Sequence, residues 1–251
     1  MNQWLVETVQ EAGRIALEYL ERGFTVERKP DGSPVSSADL AVDVFLRDRF
    51  HMEFPDDCLL TEESPDDPGR LQRRRVWIMD PIDGTANFIS GRPDFGILVA
   101  LCVDGKAIES VAHFPLLSLT LYARRGDGTY VNGRPVEVSR ECTGEPKVVA
   151  AKGRFEPLHT APQLFRNNAM ALFQVATGEI EGSVIECSPS AGEHDYAWAS
   201  CAVEAAGGQL TDADGNPLRY NKLERKMPRV LVGSNGAVHA ALLERVQAVE
   251  G

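Results

Sequence analysis

The stretch WIMDPIDGTANF, residues 77–88, opens as a strand and closes in a tight turn, with one aspartate, Asp80, at the strand end and a second, Asp83, in the turn after it. Pro81 fixes φ and Gly84 releases it, so the backbone that leaves the strand is held in one shape. Two carboxylates side by side repel unless a cation or a proton stands between them. The spacing lets Asp80, Asp83 and the Ile82 carbonyl converge on one or two metal ions. An Asx-type turn capping the next element uses the same residue types, and this segment alone leaves both readings open.

Working outward, CLLTEES (58–64) reads as a second short strand ending in acids. If the two strands are neighbours, Glu62 meets Asp80 and Asp83, whereas Glu63 reads as a solvated loop entry. Oxygen ligands without His or Cys select hard ions, Mg²⁺ or Mn²⁺, rather than zinc. Downstream, Asp195 falls in the first turn of a helix in EHDYAWASCAVEAAGG. A carboxylate there is either a favourable helix-dipole charge or, with the outward-facing amides, a bridge between metal and phosphate. Asp39, at the start of the helix after a Pro- and Gly-rich loop, carries the same two readings.

The flanking pattern is mixed. Residues 3–21 place Leu5, Val9, Ala12, Ala16 and Leu20 at helical spacing, a core-packing helix that stops near Gly23. Ser36 and Asp39 form a capping box ahead of a helix expected over about 37–50. SPDDPGRLQRRR (64–75) reads as a surface loop with a basic cluster at 73–75. From Phe95, short β-branched runs broken by VDGK, GDG and NGR predict an antiparallel sheet. Beyond it come a strand (147–151), a helix (164–177) closed by Gly178, a strand (182–187), the Asp195 helix, and then LRY (218–220), RVLVGS (229–234) and 235–247 as strand, strand, helix. Separated runs of strands and helices define an α+β class with layered helices and sheets, one domain over 1–251 in two packed halves, about 1–143 and about 144–251.

Composition bounds the partners. The chain has 26 Lys and Arg against 37 Asp and Glu, a net charge of −11, which repels a phosphate backbone and argues against a nucleic-acid polymer as partner. No run approaches the ~20 apolar residues of a membrane span and the first residues lack signal-peptide features, so a cytoplasmic location is the expectation. The five scattered cysteines read as reduced thiols rather than a disulfide framework or a zinc site.

DPIDGTANF, preceded by a T-E-E strand end and followed by a D-x-x-x-A helix running into EAAGG, resembles the inositol monophosphatase family, which also includes histidinol phosphatases, fructose bisphosphatases and adenosine bisphosphate phosphatases. The resemblance spans nearly the whole chain. It implies a layered αβαβα sandwich, a homodimer, and a Mg²⁺-dependent, lithium-sensitive phosphomonoesterase of the inositol-1-monophosphatase type acting through an activated water. The alternatives are a 3′(2′),5′-bisphosphate nucleotidase, a histidinol phosphatase or a fructose-1,6-bisphosphatase, or, outside enzymes, an inactive phosphate-binding relative. Glu62, Asp80 and the Ile82 carbonyl would hold one Mg²⁺, Asp80, Asp83 and Asp195 a second, and a weaker third ion would share Glu62; Mn²⁺ would substitute, and Li⁺ and Ca²⁺ would inhibit. Gly84 and Thr85 would cradle phosphate, while the Thr85 hydroxyl and Asp39 orient and deprotonate the attacking water.

Two departures stand out. Tryptophan commonly precedes the last metal aspartate in the family, but here it is His194, read as equally a packing substitute or a substrate contact. The SPSAGE segment before Asp195 is longer than in simple inositol monophosphatases. By alignment, Asn167, Asn168 and Glu186 or Glu193 fall near the alcohol portion of the substrate, with Arg166 as a further anion contact. PLRYNK (217–222) resembles the adenosine bisphosphate branch, and a plain strand end fits it equally.

Overall fold

Helix α1 (Gln3–Arg22) begins at Asn2, whose side chain accepts the Leu5 N–H, and it turns Leu5, Val9, Ala12 and Ala16 inward. A short hairpin, β1 (Val26–Arg28) and β2 (Pro34–Ser36), leads into α2 (Ser37–Glu53), capped by the reciprocal Ser36 and Asp39 bonds. The computed structural model describes residues 1–140, 142, 144–151, 153–161 and 167–250.

A seven-stranded sheet follows: β3 (Cys58–Thr61), β4 (Arg75–Asp83), β5 (Gly96–Val103), β6 (Lys106–Phe114), β7 (Leu119–Arg124), β8 (Gly128–Val131) and β9 (Arg134–Val136), in sequence order. Its pairs are antiparallel except β3 with β4, which run parallel and so bring both strand ends to one edge of the sheet. The short helix α3 (Thr85–Ile89) leaves the end of β4. The second sheet, in the order β10 (Val148–Ala150), β11 (Gly182–Glu186), β13 (Val230–Ser234), β12 (Gln209–Asp212), is flanked by α4 (Asn168–Ala176), α5 (Glu193–Ala205) and α6 (His239–Glu250).

The period of two along each strand builds the layers. On β4, Trp77 and Met79 pack with α1 and α2, while Val76 and Ile78 join Trp198 of α5 and Leu172 of α4 on the opposite face. In the second sheet Ile185 and Leu231 belong to that same central cluster, and Val184 and Val232 face Leu242 and Val246 of α6. The order helix, sheet, helix, sheet, helix is the expected αβαβα sandwich.

Three local expectations change. Pro81 to Asp83 is not a free turn: β4 continues to Asp83 with a bulge, Asp80 pairing Leu98 and Asp83 pairing Gly96. Residues 218–220 form no strand, and the strand before β13 is instead β12, inside GGQLTDADG. The 64–75 segment is not all surface: Arg70 is buried, its guanidinium bonded to Asp66, the Asn221 side chain and the Lys222 carbonyl.

Candidate active site

The bulge puts Asp80 and Asp83 at one end of the sheet, and parallel pairing of β3 brings Glu62 beside them. Asp195, in the first turn of α5, arrives from the other half of the chain with its Oδ2 accepting the Gly192 N–H at 2.6 Å. One oxygen each of Asp80, Asp83 and Asp195 lie within 4.8 Å of one another, as do ligand atoms of Glu62, Asp80 and His194. Asp80 is buried and its Oδ1 has no hydrogen-bond partner. Burial, then the Glu62, Asp83 and Asp195 charges, push the Asp80 carboxyl far above the usual range. Burial and Asp195 raise Asp83 in the same way, against the hydrogen bond from Asn167. Carboxylates this crowded call for cations or protons, and an all-oxygen set suits a hard divalent ion.

Around the cluster the other expected residues take definite places. Gly84 sits in the left-handed region, φ +77°, where a Cβ would lie 2.8 Å from the Asn167 amide nitrogen and 3.3 Å from the Asp94 carbonyl. The Thr85 hydroxyl is 3.0 Å from Asp39 Oδ1 and 3.2 Å from the Ile82 carbonyl. Asp39 is buried, and its Oδ2 accepts the Ser36 N–H and hydroxyl at 2.8 and 2.5 Å. Burial raises its pKa while the Ser36 and Thr85 hydrogen bonds pull it back.

A cavity of about 280 Å³ opens beside Asp83, Gly84 and Asp195, with Asn167, Asn168 and Glu186 on its far wall. Glu186 also borders a neighbouring cavity and pairs with Arg154 at 3.2 Å and Arg229 at 3.3 Å. Asn167 does not offer its amide to the cavity alone, since it donates to Asp83 Oδ2 at 2.6 Å and caps α4. Asn168 donates to the Tyr196 hydroxyl at 3.3 Å.

Glu193 is a correction: its side chain is fully buried and accepts the Asn221 and Lys222 N–H groups at 2.6 and 3.0 Å, so it fastens the 221–222 segment rather than facing a substrate. Arg166 lies outside the described residues. Glu63 is not a solvated loop residue either; its side chain is 4% exposed. The reason is Lys29, in the β1–β2 hairpin, whose Nζ stands 2.6 Å from both Glu62 Oε1 and Glu63 Oε1. Burial opposes the ammonium, but the two glutamates more than offset it and raise its pKa. The signal available for Lys29 was a cation beside Arg28 at the entry to a Pro- and Gly-rich loop ahead of a capping box, too common to single it out.

The profile of the inositol monophosphatase family matches residues 1–250. A 3′(2′),5′-bisphosphate nucleotidase of Aggregatibacter actinomycetemcomitans is 29% identical, covering 88% of each chain. A histidinol-phosphatase of Chlorobaculum parvum is 41% identical over 55% of this chain, which spans 52% of that protein. By shape, the IMPase of Thermotoga maritima superposes with a TM-score of 0.82 at 26% identity, covering 97% of this chain and 95% of that one. The chain belongs to the inositol monophosphatase family, a family of metal-dependent phosphatases. Its activity class is accordingly phosphoric monoester hydrolysis.

Proposed function

We propose that the chain hydrolyses the phosphate monoester of a small polyol, of the inositol monophosphate type, with Mg²⁺ as its cofactor. The observation that carries this reading is the convergence of Glu62, Asp80, Asp83 and Asp195 next to the Gly84 turn, with Asp80 Oδ1 buried and unpartnered. Those carboxylates and the Ile82 carbonyl would hold two to three ions, and Mn²⁺ offers the same hard-ion chemistry. When bound, such ions neutralise phosphate charge and stabilise the attacking and leaving oxygens of an in-line displacement.

The remaining work falls to the chain's own groups. The N–H groups of Gly84 and Thr85, at the start of α3 where no intrahelical acceptor exists, donate to the phosphate oxygens. Thr85 Oγ1 orients the attacking water and takes its proton while passing its own to Asp39 Oδ1, 3.0 Å away. Burial of Asp39 raises its pKa towards what a general base requires. Asn168 and Glu186 line the side from which the leaving alcohol departs.

One observation favours a second reading, a 3′(2′),5′-bisphosphate substrate. The cavity beside Glu186, about 570 Å³, is also lined by Lys226 and Arg229, which gives a second phosphate both room and opposite charge. Phosphate release from inositol 1-phosphate, histidinol phosphate, fructose 1,6-bisphosphate and adenosine 3′,5′-bisphosphate, with and without Mg²⁺, separates these. Turnover of none would overturn the enzyme reading.

Inhibition by Li⁺ and Ca²⁺, a homodimer and a cytoplasmic location extend the same reading. The five unpaired cysteines fit a reducing compartment. No helix among the described residues is long and apolar enough to cross a membrane. The homodimer rests on the family alone and is checked by sedimentation velocity, where a single-chain mass at micromolar concentration would remove it.

A further inference from the structure

His194 directly precedes Asp195 in the first turn of α5. The imidazole is 12% exposed and its Nε2 lies 3.4 Å from Asp195 Oδ2. One of its ring nitrogens, one oxygen of Glu62 and one oxygen of Asp80 all fall within 4.8 Å of one another. Ligand atoms bound ~2.1 Å from a shared ion stand ~3–4 Å apart, a difference that small side-chain rotations cover. Gly192 makes this placement available: a Cβ there would meet His194 Cε1 at 2.4 Å and Nδ1 at 2.7 Å. The same glycine donates its N–H to Asp195, so one stretch of backbone holds both side chains at the cluster. The second sign of a ligand is Asp80 Oδ1, buried and without a hydrogen-bond partner.

We propose that His194 is a nitrogen ligand of the metal centre on its Glu62 side. It would give this chain a mixed oxygen and nitrogen site for a divalent transition-metal ion, Mn²⁺, Co²⁺ or Zn²⁺, beside the all-oxygen set of Asp80, Asp83 and Asp195. The inference rests on the reading of the carboxylate cluster as a metal centre. Charge explains why a neutral nitrogen matters here. Lys29 already stands 2.6 Å from Glu62 and neutralises part of that side, so an ion held there gains less from the carboxylates than one at Asp83 and Asp195. An imidazole adds affinity without adding charge, and it does so for Mn²⁺, Co²⁺ and Zn²⁺ far more than for Mg²⁺.

The assignment can be read without turnover. The other imidazoles are occupied elsewhere or distant: His113 by Leu119 and Thr120, His159 by the Ala150 N–H, His239 by Thr211 and Ser234, and His51 in the last turn of α2. Tag-free protein loaded with Mn²⁺ is examined by pulsed electron paramagnetic resonance for coupling to an imidazole nitrogen. Wild type should show it, and His194→Ala and His194→Gln should not. In equilibrium dialysis both variants should bind Zn²⁺ about tenfold or more weakly, with Mg²⁺ affinity changed less than about twofold. Bound Mn²⁺ without nitrogen coupling in wild type overturns the role of His194 and leaves the metal centre standing. If folded wild type binds neither Mn²⁺ nor Mg²⁺, the metal centre itself falls and the inference with it. The wild-type spectrum decides even if a variant fails to fold.

Discussion

The two walls of the cleft are built in opposite ways. On one, Asp80, Ile82, Asp83, Gly84 and Thr85 follow one another along a bulged strand and the turn leaving it, so a single run of backbone sets their positions. On the other, Asn168, Glu186 and Arg229 come from the first turn of a helix, a strand end and the segment before β13, and meet only because the second sheet folds back on the first. Chemistry common to a family can be held by a local motif. The shape that receives one particular alcohol is set by distant contacts and varies with each of them.

Removing a ligand from the local wall gives the largest effect. Asp83→Asn should lower turnover by ~10³-fold or more, because the carboxylate lost would hold the ion that neutralises the reacting phosphate. Stability should move the other way. The folded pKa of Asp83, about 8, lies above its ordinary value of 3.8, so its contribution is complete below that value and is lost as pH rises towards 8. Without divalent ion, wild type should therefore melt lower at pH 8 than at pH 5, and the variant should show less of this decline. Calorimetry in chelator at both pH values measures it. An equal decline, or wild-type turnover at saturating Mg²⁺, breaks the assignment.

Gly84→Ala tests the same wall through its backbone. A Cβ at φ +77° must push the Asn167 amide or the Asp94 carbonyl, and neither can move without disturbing Asp83 or the start of α4. We expect a loss of ~1–3 kcal/mol in urea unfolding and a fall in kcat of at least ~10-fold, since the phosphate cradle shifts with it. A variant with full activity would show that the turn is not part of the site.

The far wall offers a paired test, because Glu186 and Glu193 looked alike in sequence and differ in the structure. Glu186→Gln should raise KM about 10-fold with a smaller change in kcat and little change in stability. Glu193→Ala should do the reverse, costing ~2–4 kcal/mol by stranding the Asn221 and Lys222 N–H groups beside buried Arg70 while KM for the folded enzyme holds. Interchanged outcomes would reverse the assignment of the two residues.

That pair also marks where sequence reading ends. The layered class and the helices from residue 3 and residue 37 were legible because each depends on neighbours a few residues away, through periodicity or a capping box, whereas the bulge that carries β4 on to Asp83 depends on its pairing with β5. Lys29 was not legible, since its meaning comes from Glu62 and Glu63 more than thirty residues on. Glu193 was misplaced for the same reason: at a helix start any carboxylate reads as available, and only the return of residues 221–222 shows that it is taken. The missed strand β12 lies between a GG pair and a DADG turn, four residues too short for a period to register.

The smallest expected effect separates site electrostatics from ordinary burial. His113, on β6, packs against Gly13 of α1, and its Nδ1 meets the Leu119 carbonyl and the Thr120 hydroxyl, away from both walls. Burial lowers its pKa from 6.5 to about 4 against the Leu119 hydrogen bond. Here the unfolded chain binds the extra proton, so stability is complete above 6.5 and is lost as pH falls towards 4, opposite in sign to Asp83. With Mg²⁺ saturating the carboxylates, wild type should gain on the order of 2 kcal/mol more than His113→Gln between those pH values, read from urea midpoints. If the two proteins gain equally, the pH dependence belongs to other groups, and the contrast between a charge-crowded site and a merely buried imidazole fails at its quiet end.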